Sequence, residues 1–210
     1  LDENNPTKAI DWTDYVNDTF AKGANVDALE SAYGKTKAAL GDTKSKAGVF
    51  FTILYPGKKA TSFGTLGGKS LDFSKMEDRK YAVKWMIDEQ ISLFNKRGYK
   101  HLDLVGFYWL EEYIAANDDK ELLNYASDYL HSKGLKFIYD PANYLQCGEK
   151  ADDTLNEFHD KTDYFHIKDA LSDGKIVPAG AGVGNVSWLL SQYTGKMLTL
   201  EPHLSVFKGL

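Results

Sequence analysis

Asp140, His166 and Glu201 each end or directly follow a short apolar run, and their side chains are of the kinds that hold a divalent cation or move a proton. The runs read Phe137-Ile138-Tyr139-Asp140, Tyr164-Phe165-His166-Ile167 and Leu198-Thr199-Leu200-Glu201. In a parallel β/α barrel the carboxyl ends of the strands converge on the axis, so residues placed there meet although they are distant in sequence. Two carboxylates and an imidazole make a mixed oxygen and nitrogen shell suited to Mn²⁺, Mg²⁺, Co²⁺ or Zn²⁺. A fourth ligand is expected from the preceding strand, which ends in Trp109-Leu110-Glu111-Glu112. Glu111 is the candidate and Glu112 the fallback, because strand alternation sends the two to opposite sides. Acidic residues and histidines at strand ends also serve as helix caps or solvated loop positions. A Glu-Glu pair opening a helix is favoured by the helix dipole in any case. The joint placement of the three residues on successive strands raises the metal reading above that ordinary one. Lys168 and His203 are weaker candidates again.

The elements that must position these residues follow from periodicity and punctuation. Helices are expected over 12–20 and 26–40, the second capped by Asn25 and closed by Gly41. The β-branched and aromatic run 48–55 reads as the first strand, ending at Pro56-Gly57. The glycine-rich stretch after it lacks period and reads as a long loop, a common carrier of function at that end of a strand. A helix over 78–96 puts Val83, Ile87, Ile91 and Phe94 on one stripe, with Gly98 beyond its end. Strands follow at 101–109, 135–139, 164–167 and 197–200. Between them lie a helix opened by Asp118 or Asp119 and stopped by Gly134, a shorter one over 153–160, and one over 186–193.

This alternation predicts an α/β fold with a parallel sheet, derived from a (β/α) barrel and holding about five strands. A closed eight-stranded barrel typically takes about 250 residues, so the expectation is a partial or rearranged TIM barrel, or an open flavodoxin-like sheet, within a single domain of 210 residues. Edges left open on such a sheet call for covering by the first helices or by a second copy, which makes a homodimer an expectation.

Composition narrows the partners. The net charge is -5 and the lysines are spread along the chain, which argues against a nucleic-acid or anionic-membrane surface and for a small polar substrate. The lone Cys147 excludes an internal disulfide framework. No apolar run approaches a membrane span, and the opening LDENNPTKAIDW lacks the plan of a signal peptide, so a soluble chain is expected.

From Phe137 onward the chain resembles a known family. Asp140-Pro141-Ala142-Asn143-Tyr144-Leu145-Gln146-Cys147-Gly148-Glu149, His166-Ile167-Lys168-Asp169-Ala170, Val177-Pro178-Ala179-Gly180-Ala181-Gly182 and Leu200-Glu201-Pro202-His203-Leu204 look like the closing segments of xylose-isomerase-like sugar-phosphate isomerases and epimerases. The resemblance implies Asp140, His166 and Glu201 as metal ligands, with a Glu from the strand before Asp140 completing the shell. It places Asn143 and Lys168 near the substrate, and His203 is grouped with them. The earlier segments, among them the FFTILYPG run, Ser62-Phe63-Gly64, Lys84-Trp85 and Leu104-Val105-Gly106-Phe107-Tyr108-Trp109-Leu110-Glu111-Glu112, look like a bacterial domain of unknown function with a glycosidase-like barrel. The two resemblances, over about 10–135 and 136–210, meet inside one strand, which is the mark of a chimera, natural or engineered.

Three functions are expected from these features. The first is metal-assisted isomerisation or epimerisation of a sugar or sugar phosphate, with Glu111 and Glu201 moving a proton at the carbon next to a carbonyl and Lys168 offsetting charge on oxygen. Phe107, Tyr108, Trp109 and Tyr144 offer a wall on which a sugar could stack, although an aromatic strand is more often core. If this reading holds, a cytoplasmic setting follows. The second is glycoside hydrolysis, with Glu111 or Glu112 as acid and Glu201 or Asp140 across the cleft. The third is a recombined or designed fold without activity.

Overall fold

The structure is a computed structural model that describes residues 6–111, 118–139, 153, 159–191 and 197–201. Glu112, Asp140, Asn143, Tyr144, Cys147 and His203 lie outside the described residues, as does most of the helix expected over 153–160. The chain divides into two compact units, Leu1–Phe107 and Tyr108–Leu210.

In the first unit, α1 (Ala9–Thr19) turns Trp12 and Val16 inward, and α2 (Asn25–Leu40) ends on Gly41 at φ 68. The left-handed turn closing α2 is the one glycine adopts without a Cβ penalty. Asn25 is not the cap: Ala24 takes that position, while Asn25 sits at φ 42 inside the first turn and its Nδ2 donates to the Asp18 carbonyl at 2.6 Å. Its side chain ties the helix to the preceding turn instead of to its own free N–H groups. Strand β1 (Ala47–Ile53) alternates, with Val49, Phe51 and Ile53 buried. Phe51 is the hub of one aromatic cluster, its ring 5.2 Å from Phe20, 5.9 Å from Phe94 and 6.0 Å from Phe107.

The stretch after β1 is not a long open loop. It contains a hairpin, β2 (Gly64–Leu66) and β3 (Lys69–Leu71), paired antiparallel about Gly67-Gly68. Leu66 and Leu71 are buried. Phe63 and Phe73, on either side of the hairpin, stack at 4.2 Å and meet Trp12 of α1 at 5.5 and 5.8 Å. The Ala9 N–H also donates to the Phe63 carbonyl at 2.8 Å. This second aromatic cluster makes the stretch part of the core; too few apolar positions repeat in it for period to reveal that.

Helix α3 (Met76–Arg97) runs longer than expected at its start and ends on Gly98 at φ 62. Val83, Ile87 and Phe94 are buried as expected, while Ile91 is half-buried and Ala82, Met86 and Gln90 complete the inner face. Arg79 is fully buried there, with Nε donating to the Pro56 carbonyl at 2.8 Å and the guanidinium over the Tyr55 ring at 5.5 Å. Burial of that charge is offset by this carbonyl and ring.

Strand β4 (Leu102–Trp109) leads into the second unit, where α4 (Asp119–Ser132) buries Leu122, Leu123, Ala126 and Leu130 on one face. Strand β5 (Lys136–Tyr139), a 3₁₀ turn (His159–Lys161), β6 (Tyr164–Ile167), the short hairpin β7 (Asp169–Ala170) with β8 (Ile176–Val177), helix α5 (Val186–Ser191) and β9 (Met197–Leu200) follow. Of the segment 153–160, where a helix is expected, residue 153 is helical and residues 159–160 open the 3₁₀ turn; the rest lies outside the described residues.

Strands β1, β4, β5, β6 and β9 hydrogen bond in that order in one parallel sheet. Every strand lies beside the one before it in the chain, apart from the two small hairpins. That is the winding of a β/α barrel; a flavodoxin-like sheet reverses direction at a switch point, and no reversal occurs among the described strands. The fold is α/β, with a five-stranded parallel sheet of barrel order.

Candidate functional site

Among the described residues of the second unit, the carboxyl end of β6 brings His166 and Glu201 together. Along β6, Phe165 and Ile167 are buried and Tyr164 and His166 half-buried, so the two polar rings share one face. Strand β9 runs beside it in parallel, with Tyr164 opposite Met197 and His166 opposite Thr199. The Glu201 N–H donates to the Ile167 carbonyl at 3.2 Å, carrying the pairing one residue past β9. This register puts Thr199 and Glu201 next to Tyr164 and His166. The Tyr164 hydroxyl meets Thr199 Oγ1, and His166 Nδ1 lies 2.5 Å from Glu201 Oε2. The His166 and Glu201 side chains are 19% and 31% exposed, so the pair is shielded yet reachable. At that distance the two side chains form an ion pair when the imidazole is protonated.

Two aromatic rings frame the imidazole. Tyr164 meets it edge-on at 5.4 Å, and Tyr108 of β4 lies nearly parallel to it at 6.2 Å. Phe107 and Trp109, the strand neighbours of Tyr108, are buried core residues. Of the expected aromatic wall, Tyr108 is therefore the described member that faces the site, and Tyr144 lies outside the described residues.

Glu111 is half-buried in the turn after β4. Lys168 follows β6 and is only 4% exposed. Strand β5 ends at Tyr139, the residue before Asp140, and its last pair is Tyr139 with Phe165. The imidazole nitrogen and carboxylate oxygen in contact form a mixed donor pair that fits a divalent ion of intermediate softness. Among the described residues no group of three His, Cys, Asp or Glu side chains comes together. The structure thus joins His166 to Glu201 and adds neither Glu111 nor another described side chain as a third donor.

Sequence reasoning passed over Asp169. Its buried carboxylate accepts the N–H groups of Ala170 and Gly184 on Oδ1, at 2.9 and 2.8 Å, and those of Gly180 and Gly182 on Oδ2, both at 2.9 Å. The signal was the alternating Gly180-Ala181-Gly182-Val183-Gly184, whose small residues let backbone close around a side chain.

Residues 1–149 match the family model described as a domain of unknown function, DUF4855. The chain belongs to that family. The DUF4855 match takes in Glu111, Asp140 and Asn143 and stops before His166, Lys168 and Glu201. No curated protein and no solved structure matches the chain. No helix among the described residues is long and apolar enough to cross a membrane.

Proposed function

We propose that this DUF4855 chain is a metal-dependent isomerase or epimerase acting on a sugar or sugar phosphate. The observation that carries the reading is the 2.5 Å contact between His166 Nδ1 and Glu201 Oε2 at the carboxyl ends of adjacent parallel strands. Strand ends on that face are where β/α sheets of barrel order assemble their chemistry. Glu111, Asp140, His166 and Glu201 would hold the ion, which is Mn²⁺, Mg²⁺, Co²⁺ or Zn²⁺. When bound, such an ion supplies Lewis-acid polarisation of a carbonyl oxygen. Glu201 and Glu111 carry the proton at the carbon next to that carbonyl, one as base and the other as acid. His166 orients Glu201 through their contact. Tyr108 supplies a flat aromatic surface for the apolar face of a sugar ring. Lys168 offsets negative charge on substrate oxygen, while Asn143 and His203 bind its hydroxyls.

Thermal unfolding with added MnCl₂, CoCl₂ or ZnCl₂ tests the reading, comparing wild type with the Asp140→Asn, His166→Ala double variant. An ion held a hundredfold above its Kd stabilises the folded state by about 2.7 kcal/mol. A rise in Tm of roughly 5–10 °C is expected in the wild type and none in the double variant. A wild-type Tm unmoved up to millimolar metal sinks the proposal. A glycoside hydrolase of this fold would show no such dependence and would cleave aryl glycosides instead.

A further inference from the structure

Asp169 is 1% exposed, and the next residue, Ala170, is fully buried. A carboxylate withdrawn from water this far needs donors on both oxygens. Four backbone N–H groups supply them, three from alternate glycines of one loop. Backbone N–H groups converging in this way form an anion nest, here filled by the chain's own side chain. The loop is anchored at further points: the Val183 N–H donates to the Ala170 carbonyl at 2.9 Å, and Ala181 donates to Pro178 at 2.9 Å. Gly182 admits no other residue, since a Cβ there would lie 2.3 Å from the Ala170 oxygen and 2.4 Å from Asp169 Oδ1. The whole excursion from β7 to residue 184 is therefore folded around one carboxylate. It leaves the same end of β6 that carries His166, three residues before Asp169.

We propose that Asp169 is a positioning residue: its carboxylate clamps the 178–184 loop as a preformed wall at the carboxyl end of β6 and so holds the end of that strand, with His166, in its binding geometry. The clamp stands on the hydrogen bonds alone, whereas its role in positioning rests on the metal-dependent reading above. Loops that need no ordering on ligand arrival spare the site that entropy cost, which is how preorganisation strengthens binding.

Asp169→Asn is the direct test. An amide has one acceptor oxygen, and its NH₂ would face two N–H donors in place of the second oxygen. Amide hydrogen exchange at Gly180, Gly182 and Gly184 is expected to quicken at least tenfold, with the protection of α3 and α4 retained. The Tm rise produced by Mn²⁺ alone is expected to fall to less than half its wild-type value. Gly180→Ala serves if the first variant does not fold: its Cβ meets nothing within 4 Å, but its φ of +87 disfavours any side chain, so it loosens the loop gently. Unchanged exchange in a folded variant overturns the clamp. Faster exchange with an undiminished Mn²⁺ effect overturns the positioning role and leaves Asp169 a purely architectural residue. Absence of any Mn²⁺ effect in the wild type overturns the metal-dependent reading and the positioning role with it, while the exchange data still decide the clamp.

Discussion

Among the described residues, the carboxylates whose titration folding clearly lowers lie in the first unit. Asp42 is held down at about 2, first by the Ser45 hydroxyl and then by the Ser45 and Lys44 N–H groups. Asp78 is lowered by hydrogen bonding to Lys69, whose Nζ is 2.7 Å away, and by the Asp72 N–H. Asp72 is lowered mainly by the Ser74 hydroxyl, and Asp27 mainly by the Tyr99 hydroxyl. A carboxylate whose folded value is depressed adds stability above its unfolded value, and that stability disappears as pH falls through the folded one. The Tm of the wild type is therefore expected to drop between about pH 4 and pH 2, and Asp42→Asn should shallow the drop. A flat acid limb would contradict this. Tyr99 works in the opposite sense: burial, and then its bond to Asp27, push the phenol above its ordinary value. Its contribution is complete below about pH 10, the unfolded value, and fades above it. At the proposed site, Glu201→Gln keeps the size of the side chain and removes its charge. It should abolish most of the Mn²⁺-induced rise in Tm; a retained metal response would remove Glu201 from the ligand set.

Helix and strand existence was legible because period and punctuation coincided. The strands at 164–167 and 197–200 appear with the expected bounds, and Gly41 and Gly98 end their helices as expected. Gly98→Ala should cost about 1 kcal/mol, read as a lowered urea midpoint at constant slope. Nothing lies within 4 Å of the Cβ it would add, so the loss is one of backbone conformation alone. Both hairpins were missed. Strands β2 and β3 span three residues each, and β7 and β8 two, too short for alternation to register. What makes the first hairpin stable is the stacking of Phe63 on Phe73 against Trp12, a residue about fifty positions earlier in the chain. Phe73→Ala should accordingly cost about 3–5 kcal/mol by opening a cavity in that cluster. A loss under about 1 kcal/mol would mean the cluster relaxes around the gap.

Among the described strands the parallel sheet ends at β9, and all four of its residues are exposed. Leu200 is 74% exposed. Parallel strands are ordinarily covered on both faces, and an apolar edge strand left open favours association. Leu200→Lys is expected to reduce concentration-dependent self-association in sedimentation velocity; identical sedimentation of wild type and variant across concentrations would show that this edge drives none.

Local signals in the chain were enough to determine the α/β class, the five sheet strands and the strand ends on which His166 and Glu201 sit. Each depends on a run of neighbouring residues, and such runs survive any arrangement of the elements. Strand order needed the tertiary structure, because flavodoxin-like and barrel-like winding use the same alternation of elements. The 2.5 Å approach of His166 to Glu201 needed it too, since the pairing of β6 with β9 brings together residues 35 positions apart. Asp169 makes the same point within a shorter span. In the sequence it is one more acid beside a lysine, and only the folding of three glycines back upon it shows what its charge holds in place.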